Sequence, residues 1–149
     1  MEIKFANSND EREQVAKLSK AFAEEGICNG VVADDYEFFK SCDVVVAKEN
    51  NTVVGYAYGD IIKEKKGHSY AKKGARVFSL EEMYIFPEFR SKGIGKKLFK
   101  FLENYAHENK CDIIELCAVS KNYERLLRFY IQELDMTFWN AFLYKRLHD

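Results

Sequence analysis

Residues 80–106, "LEEMYIFPEFRSKGIGKKLFKFLENYA", decide the fold. The first part continues the apolar run "VFSLEEMYIF", whose aromatic and β-branched residues suit a strand. Pro87 ends that strand, because proline cannot donate into a ladder. From Gly93 the period changes: Ile94, Leu98, Phe101, Leu102 and Tyr105 recur at helical spacing, with lysines on the other side. Between strand and helix lies a loop with two glycines. The first N–H groups of a helix have no intrahelical partner, and the helix dipole adds partial positive charge there. Glycine lets a bulky anion approach that backbone, and Lys92, Lys96 and Lys97 add charge, so the junction is suited to cradle phosphate. It is not a Walker loop, since Gly-x-x-x-x-Gly-Lys-Ser/Thr is absent. Nor is it a dinucleotide fingerprint, whose third glycine would fall where Leu98 stands.

Working outward, the opening "EIKFANSND" predicts a strand, and "SNDEREQVAKLSKAFAEEG" a capped helix stopped by Gly26. "DDYEFF" suggests a short second helix. "DVVVAKENNTVVGYAYGDII" reads as a hairpin turning at Asn50 and Asn51. The charged "KEKKGHSYAKKGAR" is a solvated hairpin tip or an interaction patch, and the tip is the more economical reading. "CDIIELCAVS" returns to strand, "NYERLLRFYIQELD" to helix, and "TFWNAFLYKRL" is expected to close the chain as a strand. The order β-α-α-β-β-β-α-β-α-β places a crossover unit at the centre of a mixed sheet.

A chain of 149 residues with 47% hydrophobic content fits a single domain, 1–149, with one sizeable core. The net charge of −1 offers no global basic field, so nucleic acid is not an expected partner. Cys28, Cys42, Cys111 and Cys117 show no zinc spacing, and His68, His107 and His148 are scattered, so no metal is expected. No apolar run approaches a membrane span or a leading signal, and free thiols suit a reducing cytoplasm.

Arg90-x-x-Gly93-x-Gly95, with "LEEMYIFPEFR" before it and an amphipathic helix after it, strongly resembles the GCN5-related N-acetyltransferases, the GNAT family. The element order matches over most of the chain, and residues 80–106 match closely. The resemblance implies a mixed, mostly antiparallel α/β sheet flanked by helices. Its central parallel strands, 79–86 and 111–119, would splay apart. It also implies acetyl-coenzyme A as cosubstrate. Arg90 and the backbone of Ser91, Lys92, Gly93, Ile94, Gly95 and Lys96 would hold the pyrophosphate. Met83, Tyr84 and Ile85 would pair through their backbone with the pantetheine arm, which enters the splay as a pseudo-strand. Asn122 joins these cofactor contacts by its match to an asparagine that relatives carry.

Direct acetyl transfer needs a neutral amine, a polarised carbonyl and a proton for the departing thiolate. Glu81 and Glu82 occupy adjacent positions of one strand, so they are expected to face opposite sides of the sheet, and only one can point into the acceptor cleft. The family position favours Glu81 as general base; binding an acceptor ammonium, or a lysine, is the alternative. The N–H of Met83 would meet the oxyanion. Tyr130 looks like the tyrosine that relatives use as general acid, and core packing is its alternative. Its spacing departs from the family's: seven residues separate Asn122 from Tyr130 where six are usual, and three rather than two precede Leu134-Asp135-Met136. One extra residue turns a regular helix by about 100°, unless the helix start slides or the helix bulges. Tyr123 is the weaker substitute.

Glu24, Glu25, Asp34, Asp35 and Glu37, in a region that walls the acceptor cleft in relatives, suit a cationic amine: a small molecule, an aminoglycoside, or a lysine or N-terminal amine of a peptide. Ordinary solvated helix ends explain them as well. Self-association as a homodimer is a further expectation for partners. The rival to an enzyme is a non-catalytic acyl-coenzyme A sensor, which would share the cradle but need neither base nor acid.

Overall fold

A computed structural model describes residues 1–148. Strand β1 (Glu2–Phe5) leads into helix α1 (Asn9–Glu25). The Ser8 hydroxyl caps α1 by accepting from the Glu11 N–H at 3.2 Å, and Gly26, at φ 61°, ends it in the left-handed region. The short helix α2 (Tyr36–Lys40) is capped by Asp35, which accepts from Phe38 N–H. Strands β2 (Val44–Glu49) and β3 (Thr52–Lys63) are joined through Asn50 and Asn51, both at positive φ as a tight hairpin turn requires. Strand β4 (Arg76–Ile85) runs antiparallel to β3, and α3 (Ile94–Glu108) crosses over to β5 (Ile113–Leu116), parallel to β4. The five strands lie in sequence order in one sheet, antiparallel from β1 to β4.

Strand alternation divides the core into two layers. Val44, Val46, Tyr56 and Tyr84 pack with Val15, Leu18, Phe22 and Phe39 of α1 and α2. Val45, Ala47, Phe78 and Leu80 pack on the other face with Leu98, Phe99 and Leu102 of α3. One charge is locked into the first layer. The buried Glu11 carboxylate takes Lys4 at 2.7 Å, Lys48 at 2.6 Å and the Asn7 N–H at 2.9 Å, which ties α1 to β1 and β2. Burial alone would raise its pKa; the two lysines and the amide outweigh it and hold the carboxyl at about 2.

Three expectations need adjustment. Residues 137–147 are not a strand: they form no helix or ladder among the described residues, and Phe142 is 98% exposed. β-Propensity makes a strand only where an edge is met. The β5 ladder is shorter than 111–119, because β4 departs beyond Leu80–Leu116. The last helix is regular only as α4 (Tyr123–Arg128); Phe129–Glu133 form a π turn.

Candidate active site

The last parallel pair is Leu80 with Leu116, yet β4 continues to Ile85. Among the described residues no strand pairs with 81–85 on the β5 side, and this is the splay. Which backbone groups face into it follows from the antiparallel ladder. The Phe86 N–H donates to Val54 O at 2.9 Å, and Tyr84 stands opposite Tyr56. Alternate residues bond toward β3, so Met83 and Ile85 turn their N–H and C=O groups into the gap. The Ile85 carbonyl already accepts there from Arg90 Nε at 2.8 Å. The loop after α1 bounds the gap's other side, since Asn29 N–H donates to Val119 O and Lys121 N–H to Ile27 O, both at 2.9 Å.

Beyond the splay, the turn Pro87–Phe89 delivers the chain to the glycine loop. Ser91 and Gly93 both have positive φ, 61° and 77°. The first α3 bond closes from Lys97 N–H to Gly93 O at 3.2 Å, which leaves Ile94, Gly95 and Lys96 with N–H groups free of intrahelical partners. A Cβ on Gly93 would meet nothing within 4 Å, so that side of the loop is open. A Cβ on Gly95 would instead stand 3.1 Å from Ile85 Cδ1 and 3.2 Å from Phe129 Cζ, which makes Gly95 a packing glycine between α3, β4 and the π turn. These features fit a pyrophosphate.

Arg90 plays a different part from its neighbours. Its guanidinium bonds Glu25 at 2.7 Å, and the Tyr84 hydroxyl donates to the same carboxylate. The loop is thus braced against the end of α1. Charge at the loop comes also from Arg125 of α4, whose Nη2 donates to Ser91 Oγ at 3.1 Å. Sequence reasoning missed Arg125, 34 residues downstream and without a motif. Asn122 precedes α4, and its N–H donates to Ser120 Oγ at 3.1 Å.

A bulge separates the two glutamates. Tyr58 pairs with Glu82 but Gly59 with Leu80, so Glu81 is the extra residue and alternation does not hold between them. The bulge needs glycine opposite: a Cβ on Gly59 would fall 2.2 Å from Ser79 O. That glycine inside a strand was the signal sequence reasoning overlooked. Glu81 is exposed and accepts from Ser79 Oγ at 3.0 Å. Glu82 is half-buried and accepts from the Tyr56 hydroxyl. Burial raises its pKa, and the neighbouring Asp34 adds to the rise against the lowering effect of Tyr56. Asp34 in turn accepts from the Tyr58 hydroxyl at 3.1 Å. Two carboxylates and two phenols thus form two neighbouring hydrogen-bonded pairs. Of the other acidic residues in the early region, Glu25 is taken by Arg90 and Tyr84, Asp35 caps α2, and Glu37 lies 3.9 Å from Lys40.

The π turn bears on the spacing of Tyr130. An i→i+5 turn absorbs one residue more than an α-turn, and it begins at Phe129. Tyr130 packs beside Phe99 and Phe129, 8% exposed. Burial raises its pKa, with the nearby Cys28 thiol adding to the rise. Its hydroxyl makes no hydrogen bond among the described residues, although no buried side-chain oxygen or nitrogen there lacks a partner. The hydroxyl therefore keeps some solvent exposure. Tyr123 is 59% exposed.

A sheet whose parallel strands part above a glycine-led helix defines an acyltransferase fold. The chain belongs to the Acetyltransferase (GNAT) family, whose model matches residues 12–136. It is 33% identical over 94 residues, 60% of this chain, to an uncharacterized N-acetyltransferase of Archaeoglobus fulgidus, and the match spans 57% of that protein. Among solved structures it resembles a tetramutant protein of Bacillus halodurans (TM-score 0.77, 19% identity, 99% of this chain and 100% of that one). It also resembles a ribosomal-protein-alanine N-acetyltransferase of Brucella melitensis (0.70, 18%, 98% and 100%). An aminoglycoside N-acetyltransferase in complex with coenzyme A is similar too (0.68, 19%, 99% and 100%). At these identities the likeness is one of fold.

Among the described residues no group of His, Cys, Asp and Glu could hold a metal, and no helix is long and apolar enough to cross a membrane.

Proposed function

We propose that the protein transfers an acetyl group from acetyl-coenzyme A to a cationic primary amine, by direct attack in a ternary complex. The observation that carries this reading is the free run of β4 at residues 81–85, which ends at the open glycine loop. A bound thioester supplies an activated acetyl carbonyl. The N–H groups of Ile94, Gly95 and Lys96 and the charge of Arg125 hold the pyrophosphate, while the outward backbone of Met83 and Ile85 pairs with the pantetheine arm. The Met83 N–H, fixed by the sheet, is set to meet an oxyanion.

An alkylammonium with a pKa near 10 must shed a proton before it attacks. Glu82 is now the stronger candidate to accept it, directly or through water. Its raised proton affinity suits a base, whereas Glu81 is solvated and bound to Ser79. Glu81 keeps the alternative role of holding the acceptor's ammonium. Asp34 supports a cationic acceptor beside Glu82, with Phe38 edge-on to Tyr58 as an apolar wall at 5.4 Å. Tyr130, kept protonated by burial, is the proton donor for the departing thiolate.

The test is a panel of polyamines, aminoglycosides, and lysine and N-terminal peptides incubated with acetyl-coenzyme A while free thiol is followed. Amine-dependent release together with an acetylated product by mass spectrometry supports the reading. Binding of coenzyme A without turnover of any amine would favour a sensor.

A further inference from the structure

The site as described leaves Cys28 without a role. It follows α1 on the loop that walls the gap opposite β4, and it is partly exposed. The loop is fixed there. Cys28 pairs with Ser120 in an antiparallel bridge, between the 2.9 Å bonds from Asn29 N–H to Val119 O and from Lys121 N–H to Ile27 O. A pair flanked in this way exchanges no backbone bonds of its own and brings its side chains close together. The Cys28 side chain packs against the layer that holds Phe22 and Tyr84, and its charged neighbours are Glu82, Glu25 and Lys121.

A second observation points to the same spot. Tyr130 is 8% exposed, its hydroxyl has no hydrogen-bond partner among the described residues, and Cys28 is the ionisable group that acts on it. So deeply set a polar group without a partner calls for one. Thiol and phenol thus border the end of the gap where, on the function proposed above, the sulfur of the pantetheine arm arrives.

We propose that Cys28 is a modification site for coenzyme A itself, forming a mixed disulfide with an arm lying in the splay and so shutting the splay to acetyl-coenzyme A. The proposal rests on the reading of the splay as the cosubstrate channel. The co-reactant is coenzyme A disulfide, one half of which enters the cradle as the thioester would. Cys28 Sγ attacks the sulfur of that half. The Sγ–S bond forms, the S–S bond between the two halves breaks, and the released thiolate takes the proton that the Cys28 thiol gives up. One disulfide replaces another, so no oxidant is consumed. Burial, together with Glu82 and Glu25, pushes the Cys28 thiol up, so it holds little thiolate and reacts slowly with free disulfides. A disulfide held by the cradle gains the proximity that offsets this, and the site therefore selects coenzyme A.

The full native chain is incubated with coenzyme A disulfide or with glutathione disulfide and followed by intact mass and peptide mapping. It should gain one coenzyme A less two hydrogens, on the peptide carrying Cys28, at least about a hundredfold faster than it gains glutathione. Dithiothreitol should remove the label, excess acetyl-coenzyme A should slow it, and Cys28→Ser should not acquire it. Label on the exposed Cys117 instead, or equal rates with the two disulfides, would overturn the proposal. So would an unlabelled chain that binds coenzyme A in calorimetric titration, which leaves the reading of the splay standing. An unlabelled chain that binds none overturns both. The mapping uses the native chain, so it decides the matter even if Cys28→Ser fails to fold.

Discussion

Replacing Gly93 separates the cradle from ordinary backbone strain. The residue stands at φ 77°, and its missing Cβ faces space free of atoms to 4 Å. Gly93→Ala places a side chain where left-handed backbone costs a non-glycine residue about 1–2 kcal/mol. For a chain of this size that is a fall in melting temperature of about 4 °C. The methyl also enters the space assigned to pyrophosphate, so affinity for coenzyme A should fall at least about tenfold, some 1.4 kcal/mol. Gly93→Asn is the deciding control. Asparagine tolerates the left-handed region and makes a good helix cap, so most of the stability should return while its larger side chain still blocks the anion. Calorimetric titration with coenzyme A, paired with thermal melts, reads both quantities. A Gly93→Asn variant that melts like the native chain and binds coenzyme A with native affinity would refute the cradle.

Other outcomes follow from the same geometry. Glu82→Gln should lower kcat about a hundredfold with coenzyme A affinity unchanged, whereas Glu81→Gln should act mainly on acceptor KM. The acid limb of the native pH–rate profile should lie above the ordinary value of a free glutamate, because burial raises the Glu82 pKa. Tyr130→Phe should keep the fold and slow turnover about a hundredfold, while Tyr123→Phe should change little; the reverse would place the proton donor on Tyr123. Glu11→Gln leaves Lys4 and Lys48 without their carboxylate and should cost about 3 kcal/mol in urea unfolding at neutral pH. With the folded carboxyl at about 2 and its ordinary value at 4.5, that difference is fully present above about pH 4.5. It shrinks as pH falls through about 2, so the two stabilities should converge in strong acid.

What the chain made legible was whatever depends on local period and punctuation. Ser8, Gly26, Asp35 and the Asn50–Asn51 turn each act at the element boundary their chemistry announces. The strand–glycine–helix junction was legible for the same reason. What escaped was set by distant partners. The Arg90 side chain turns to Glu25, 65 residues away, and no local pattern announces that pair. Alternation failed at Glu81 because a bulge adds one residue, and only Gly59 on the facing strand hinted at it. At Tyr130 the surplus residue was visible as an anomalous spacing, but the π turn that absorbs it depends on packing against Phe99 and α3. The tail misled for the opposite reason: its composition is that of a strand, while its pairing depends on an edge.

The claim that the glycine loop and the splay together receive coenzyme A is tested most directly by titrating coenzyme A into ¹⁵N-labelled protein and following backbone amides. The account predicts large shifts for residues 91–96, for Met83 and Ile85, and for the Arg125 region, with the β1–β2 ladder unmoved. Saturable binding that leaves residues 83–96 unshifted, or that maps to another face of the sheet, would contradict it.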